Sequence, residues 1–341
     1  MRSDHKCLLL NKYLIMKNKS AFYHFAKSFN LEQEDLYLVY SSPTYHTFEI
    51  PKRNGDLRTI FAPAPNLKKL QRKIAEKLSK YYSESLPDSV MGFVKTAALK
   101  KKRDIVSNAR KHRKSKYLIN IDIENFFPSI KTEHVAKVLN EIIKLDNEGV
   151  QIIRQVLMKD DSLPPGSPAS PILSNLVFKP IDLAIEHFCK GEKIIYTWYV
   201  DDMTFSSKKE ITKTQICTIV DILTKHNFRV NEDKTVIYKK NDIKEITGIA
   251  IIDKKLALCE STIEEIKSNI HYYKEWKQQI LRQYGPNESV RKKISHMQRS
   301  IKGQLNFAKR IDGEKGEKYN ELKELYEHSL DEKEFAFKVY I

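Results

Sequence analysis

Three carboxylates stand where apolar runs stop. Asp122 comes near the end of Tyr117-Leu-Ile-Asn-Ile-Asp-Ile123, and Asp201-Asp202 divides the stretch Lys193 to Tyr199 from Met203 to Ser206. Runs of this length predict strands, which makes Asp201-Asp202 the tip of a hairpin. Carboxylates at the ends of neighbouring strands can converge. Mg²⁺ takes hard oxygen ligands of this kind, a few from protein and the rest from water and phosphate. Two such ions activate an attacking hydroxyl and stabilise a leaving pyrophosphate. Taken singly the residues say less: Asp-Asp between strands is also an ordinary polar turn, and Asp122 an ordinary solvent carboxylate at a strand end.

The elements that must position these residues follow from periodicity and punctuation. Residues 1–40 read as helical, with Leu8, Tyr13, Leu14, Phe22, Phe25 and Phe29 at helical spacing. Asn54-Gly55 between Thr47-Phe-Glu-Ile-Pro51 and Leu57-Arg-Thr-Ile-Phe-Ala62 predicts a hairpin, because both turn residues tolerate positive φ. Helices are expected over 67–82, with a basic outer face, and over 104–114, 132–158, 172–187 and 212–226. Four prolines keep Leu163-Pro-Pro-Gly-Ser-Pro-Ala-Ser-Pro171 irregular until its end. Short extended segments are expected at 228–230 and 235–238, and one strand at 244–252 with Thr247-Gly248 inside it. Beyond Cys259 the chain turns all-helical. Ser261 and Glu264 predict a capping box for a helix to Tyr284, Asn287 caps a second to Arg310, and a third spans 317–330.

Charge separates these regions. The chain has 341 residues and a formal net charge of +16. Lys52 to Lys116 holds 19 basic and 5 acidic residues, and Lys267 to Arg310 holds 11 and 2. Residues 117–266 between them hold 19 basic and 23 acidic. Basic walls suit a phosphate backbone, and an acidic middle suits metal. Four scattered cysteines (Cys7, Cys189, Cys217, Cys259) form no CxxC, which argues against a disulfide scaffold or a zinc ribbon and for reduced thiols in the cytosol. No apolar run approaches the ~18 residues of a membrane span, and the early stretch Cys7 to Met16 lacks a signal-peptide cleavage site.

The boxes together resemble the reverse transcriptases. Tyr199-Val-Asp-Asp202 is similar to their catalytic box, and Ile121-Asp-Ile-Glu-Asn-Phe-Phe-Pro-Ser129 to the box that carries their first metal-binding aspartate. Leu163 to Pro171, between them, is similar to the loop that contacts template and nucleotide. Asn108-Ala-Arg-Lys-His112, Ile246-Thr-Gly248 and Ile301 to Arg310 narrow the resemblance to bacterial retron enzymes. The last resembles a retron-type thumb helix. The likeness covers roughly residues 45–310. Pro165 stands where the family usually has Gln, and Val200 where many retron enzymes have Ala.

The resemblance implies an α/β (α+β) right-hand polymerase. Its N-terminal helices and fingers would span 1–116, and a palm with a ferredoxin-like antiparallel sheet 117–259, with 132–170 partly fingers. A helical thumb and tail would span 260–341. Asp122, Asp201 and Asp202 would be catalytic and hold two Mg²⁺ ions, or Mn²⁺, with the carbonyl of Ile123 as a further ligand. Arg53 (or Lys52), Arg58, Phe127, Gly166 and Lys234 would meet the nucleotide, Phe127 as a gate against a 2′-OH, with core packing as its rival role. Asn108, His112, Tyr199, Thr247, Gly248, Arg291, Lys292 and Lys293 would meet primer or RNA. Tyr272, Tyr273 and Trp276 would stack on bases or pack between helices.

The implied activity is RNA-directed DNA synthesis from dNTPs on a cognate structured non-coding RNA. Priming from an RNA 2′-OH would give branched RNA–DNA in a bacterial, cytoplasmic phage-defence system, with an effector protein as a further partner and no membrane. Two alternatives stand beside it: another prokaryotic reverse transcriptase (group II intron-like or defence-associated), and an RNA-binding structural component of a toxin–antitoxin complex.

Overall fold

The computed structural model describes residues 20–51, 55–94 and 102–330. Helices α1 (Ser20–Phe29) and α2 (Gln33–Ser41) precede the antiparallel pair β1 (Tyr45–Pro51) and β2 (Leu57–Pro63). Leu8, Tyr13, Leu14, Cys7, Lys52, Arg53 and Asn54 lie outside the described residues. Helix α3 (Pro65–Ser83) starts at a proline, whose missing N–H costs nothing in a first turn. It buries Leu67, Leu70, Gln71, Ile74 and Leu78 as one stripe. Next come α4 (Ile105–His112), β3 (Tyr117–Ile123) and the single turn α5 (Phe126–Ser129).

The helix expected over 132–158 is two helices, α6 (Thr132–Ile143) and α7 (Asn147–Leu157). Lys144 turns left-handed, the Asn140 side chain accepts from the Leu145 N–H, and the Asp146 carboxylate caps α7 through the Gly149 N–H at 2.7 Å. Asx chemistry overrides a continuous apolar pattern here. The proline-rich loop ends in α8 (Ser170–Gly191). Then follow the hairpin β4 (Ile195–Tyr199) and β5 (Asp202–Ser207), and α9 (Lys213–Lys225), capped by Thr212 and Gln215.

The two short segments expected around Asn231–Lys234 are one strand, β6 (Val230–Tyr238). It lies at a sheet edge, where its charged run stays in water. The single strand expected at 244–252 is a hairpin, β7 (Lys244–Ile246) and β8 (Ile249–Ile252), because Thr247 and Gly248 both take positive φ. Strand β9 (Lys255–Leu258) completes that sheet before α10 (Glu260–Tyr284), α11 (Glu288–Asp312) and α12 (Glu317–His328). Asn287 caps α11 as expected, through the Val290 N–H at 3.0 Å. The capping box at Ser261 does not form: Cys259 is the N-cap, with no side-chain bond.

The chain forms two compact units whose bounds differ from the expected 1–116, 117–259 and 260–341. One comprises the chain up to Asp104 and Ile119–Ile237; the other comprises Ile105–Leu118 and the chain from Tyr238 onward. The division falls there because α4 packs on β7 and β8, burying Val106 and Ala109 against Ile246, Ile249 and Ile251.

In the first unit the four strands run in the order β4-β5-β3-β6. Beneath them Trp198, Phe178, Phe126 and Phe228 interlock, with the Phe178 and Trp198 rings 4.2 Å apart. Each such ring contributes ~1.5–3 kcal/mol on burial, so the strands bearing the acids rest on a stiff base. In the second unit α10, α11 and α12 share a core that includes Ile266, Ile270, Tyr273, Ile301 and Leu322. No helix among the described residues is long and apolar enough to cross a membrane.

Candidate active site

Strand alternation decides what β3 offers. Ile119, Ile121 and Ile123 go into the core, leaving Asn120 and Asp122 on the other face. The Asn120 side chain accepts from the Thr204 hydroxyl at 3.0 Å, which ties β3 to β5 on that face. The Ile123 N–H donates to the Asp201 carbonyl at 3.3 Å, so the hairpin tip is fastened one residue beyond Asp122. The tip is tight. Tyr199 pairs with Asp202, and Val200 has φ +66°. A β-branched residue there stores about 1–3 kcal/mol of backbone strain.

Asp122 and Asp201 are brought together. Burial raises the Asp201 carboxyl above the ordinary range and the Asp122 charge raises it further, while Arg58 and Lys234 pull it back. Lys234, on β6, reaches Asp122 directly, with Nζ 3.3 Å from Oδ2. Two strand-end acids and two cations from separate elements therefore share one place. Asp202 starts β5 beside Tyr199, whose phenol is raised by burial and further by the Asp104 and Asp202 charges. Among the described residues no three acidic, His or Cys side chains converge on one point. The Asp122 charge is felt by Asp201, so these two acids lie within electrostatic reach of each other. Asp122 and Asp201 offer oxygen donors only, a set that fits a hard divalent cation.

Phe126 and Phe127 separate as neighbours on a tight turn must. Asn125 is left-handed at φ +47°, Phe126 enters the core, and Phe127 stays half-buried with its ring 6.1 Å from that of Phe93. A groove of about 320 Å³ lies beside Phe93, Met91, Pro168, Pro171 and Tyr199. Gly166 is left-handed at φ +107°, and a Cβ there would stand 2.8 Å from Ile60 Cγ2 and 2.9 Å from the Phe61 carbonyl. Its close approach is thus to β2, the strand that carries Arg58. The Phe61 N–H also donates to the Pro165 carbonyl at 2.8 Å. Pro165, in place of the family's usual Gln, retains that backbone acceptor.

The remaining expected contacts divide. Arg53 lies outside the described residues. Asn108 and His112, expected to meet primer or RNA, are buried on the face of α4 that packs on β7 and β8. Burial, with Lys111 nearby, pushes the His112 imidazole down to about 3, so it is neutral. Their side chains reach protein, since Val106, Asn108, Ala109 and His112 form one helical stripe. Thr247 and Gly248 form the β7–β8 turn. Tyr273 is buried, its hydroxyl accepting from Gln298 at 2.9 Å, while Trp276 packs against the helical core and Tyr272 is exposed. Arg291, Lys292 and Lys293 are exposed, and Lys292 pairs with Glu288 one turn earlier at 2.7 Å. Glu288 offsets the dipole cost of basic residues at that helix start.

Gln71 is a supporting residue that the motifs do not reveal. Fully buried, it donates to the Val156 carbonyl at 2.8 Å and to the Tyr45 hydroxyl, and accepts from Ser167 at 2.8 Å. It thereby holds the loop that carries Gly166. Its signal was one polar residue on the apolar stripe of α3.

Residues 50–272 match the family described as reverse transcriptase (RNA-dependent DNA polymerase). The chain belongs to this family. The reverse transcriptase is 30% identical to the retron Ec86 reverse transcriptase of Escherichia coli over 69% of its own length and 72% of that protein. It is 28% identical to the retron Ec83 reverse transcriptase of the same species, over 70% and 80%. It is thus a retron-type enzyme, an RNA-directed DNA polymerase. Its fold is similar to that of a Candida albicans telomerase solved with a fragment of telomeric RNA, with a TM-score of 0.51 at 11% identity over 84% of this chain and 63% of that one. The α/β right-hand architecture agrees with the helices and antiparallel sheet described above.

Proposed function

We propose that this reverse transcriptase copies part of a cognate structured non-coding RNA into a short single-stranded DNA. Synthesis is primed from an RNA 2′-OH and leaves a branched RNA–DNA product. The observation that carries the reading is the pairing of Asp122 with Asp201 beside Lys234 and Arg58. The hydroxyl at the primer end gives up its proton to solvent as its oxygen bonds to the α-phosphorus of a dNTP, the bond to the bridging oxygen breaks, and pyrophosphate leaves. Asp122 and Asp201 would hold Mg²⁺ or Mn²⁺, with Asp202 and the Ile123 carbonyl assisting. Bound there, the ions supply Lewis acidity at the attacking and leaving oxygens.

Arg58 holds phosphate oxygens with a planar fork, and Lys234 neutralises the pyrophosphate. Phe127 closes the sugar pocket on the 2′ side. The paired aspartates argue against a purely structural RNA-binding role. The basic segments on both sides of the acidic middle suit an RNA partner. We further propose that the enzyme acts in the bacterial cytoplasm in phage defence, with an effector protein as partner, as its resemblance to retron enzymes implies. Sequencing the nucleic acid that co-purifies with the chain tests this. A short branched RNA–DNA hybrid is expected; its absence, with activity only on added primers, contradicts the priming and product.

A further inference from the structure

Residues 89–92 form a fifth, parallel rung on the free edge of β4. The Trp198 N–H donates to the Ser89 carbonyl at 2.9 Å, and the Met91 N–H donates to the Trp198 carbonyl at 2.7 Å. Val90 bridges Trp198 in parallel. The segment is itself held from behind. The Ser89 N–H donates to the Glu186 carboxylate and its hydroxyl to Asp182 at 3.3 Å, both on α8. The Arg103 guanidinium donates to the carbonyls of Pro87 and Val90. The Gly92 carbonyl accepts from the buried Asn175 amide at 3.3 Å.

Gly92 is where this segment meets the hairpin tip. It is not among the glycines in the left-handed region, so its missing side chain serves space rather than φ. A Cβ at Gly92 would stand 2.8 Å from the Val200 backbone nitrogen, 3.1 Å from Val200 Cγ2 and 3.3 Å from the Tyr199 carbonyl carbon. Two of these are main-chain atoms of the turn itself, which cannot rotate aside. Val200 is also the strained residue of that turn, and such strain persists only where the surroundings hold it.

We propose that residues 89–92 are a backbone brace for the catalytic turn, and that Gly92 is a positioning residue that sets the place of Asp201. Any side chain there pushes Val200, and through it the carboxylate that must stand beside Asp122. The inference rests on the assignment of Asp201 under the proposed function.

The test uses the full chain on an RNA template with a DNA primer, comparing Gly92→Ala, Val200→Gly and the double variant. A displacement of about an ångström at a reacting centre costs on the order of 100-fold. Gly92→Ala is therefore expected to lower kcat by at least about tenfold, with KM for dNTP within about threefold. In the chain without substrate, hydrogen exchange should speed up at the Met91 and Trp198 amides and stay unchanged in α10. Val200→Gly lets the turn yield, so the double variant should recover much of the loss, a non-additivity expected only of touching residues. Activity of Gly92→Ala within about threefold of the parent, additive variants, or a loss carried by KM alone would each overturn the brace.

If Gly92→Ala does not fold, Asn175→Ala reads the same brace from its other side. It is expected to reduce kcat and loosen the 198–203 amides with KM unchanged. No change in either measure overturns the proposal. Asp201→Asn in the same assay separates the two claims. An inactive Asp201→Asn beside an unimpaired Gly92→Ala removes the brace alone, whereas an active Asp201→Asn removes the assignment beneath it.

Discussion

The ammonium of Lys234 lies 3.3 Å from a carboxylate oxygen of Asp122, joining the edge strand β6 to β3 at the point where the acids meet. The lysine therefore has two uses: it balances Asp122 before substrate arrives and is at hand for phosphate afterwards. Lys234→Ala should lower the maximal extension rate by about tenfold or more, the usual worth of one positioned charge. Because it also removes a cation that competes for Asp122, the variant should reach half its own maximum at lower Mg²⁺. Titration of extension rate against Mg²⁺ checks both. A variant that needs more Mg²⁺ would place Lys234 outside the metal site.

Phe127 keeps part of its ring exposed beside Phe93 while Phe126 fills the core. Phe127→Ala should raise the ratio of rNTP to dNTP kcat/KM by about tenfold or more, the scale on which a pocket wall rejects a hydroxyl. Steady-state kinetics with both nucleotides measure it. An unchanged ratio in a folded variant would return Phe127 to packing alone.

Asp182 is buried between α8 and β4, accepting from the Tyr196 hydroxyl at 2.6 Å and from Ser89, while its second oxygen has no hydrogen-bond partner among the described residues. Burial, aided by the Glu186 charge, pushes this carboxyl up to about 8, against the hydrogen bonds from Tyr196 and Ser89. Burial and the Asp182 charge in turn raise Tyr82 and Tyr196, and Arg103 also faces Tyr82. Between the unfolded carboxyl at ~3.9 and the folded value, the native chain binds the extra proton, so stability falls as pH rises through that window. Asp182→Asn keeps the neutral shape. Its melting temperature should match the parent near pH 4 and exceed it at pH 8. Melts across that range check this, and an identical pH slope in both proteins would contradict it.

Arg291, Lys292 and Lys293 project from the first turns of α11, and only Lys292 is drawn to Glu288. Replacing all three with Gln should weaken RNA binding and reduce its salt slope by up to ~3 units, at ~0.7–0.9 per phosphate contact. Filter binding at several salt concentrations measures this. The same affinity and slope as the parent would make the charge mere surface.

The acids stood out only together: each is ordinary at the end of an apolar run, and the order of the two acidic boxes with the proline-rich loop between them is what singled them out. Helix α8 and the hairpin β4–β5 were legible from the same periodicity. The break at Lys144 and the β7–β8 turn were missed because Asx caps and a left-handed Thr247 act within one or two residues, beneath the resolution of an apolar pattern. The burial of Asn108 and His112 was not legible, because flanking lysines and arginines hide the stripe they share with Val106 and Ala109. Gln71 and Gly92 escaped because their roles lie in contacts with Ser167 and Val200, far along the chain.

The most direct test of the whole account is Asp201→Asn. Asn keeps the shape of the side chain but removes the charge that partners Asp122. Extension of a DNA primer on an RNA template with Mg²⁺, measured alongside thermal melting and RNA affinity, should show no detectable DNA synthesis with melting and affinity close to the parent. The loss of an essential member of a catalytic set costs on the order of 10⁴-fold or more. Synthesis within about tenfold of the parent, in a folded and RNA-binding variant, would contradict the assignment of Asp122 and Asp201 as the reacting centre.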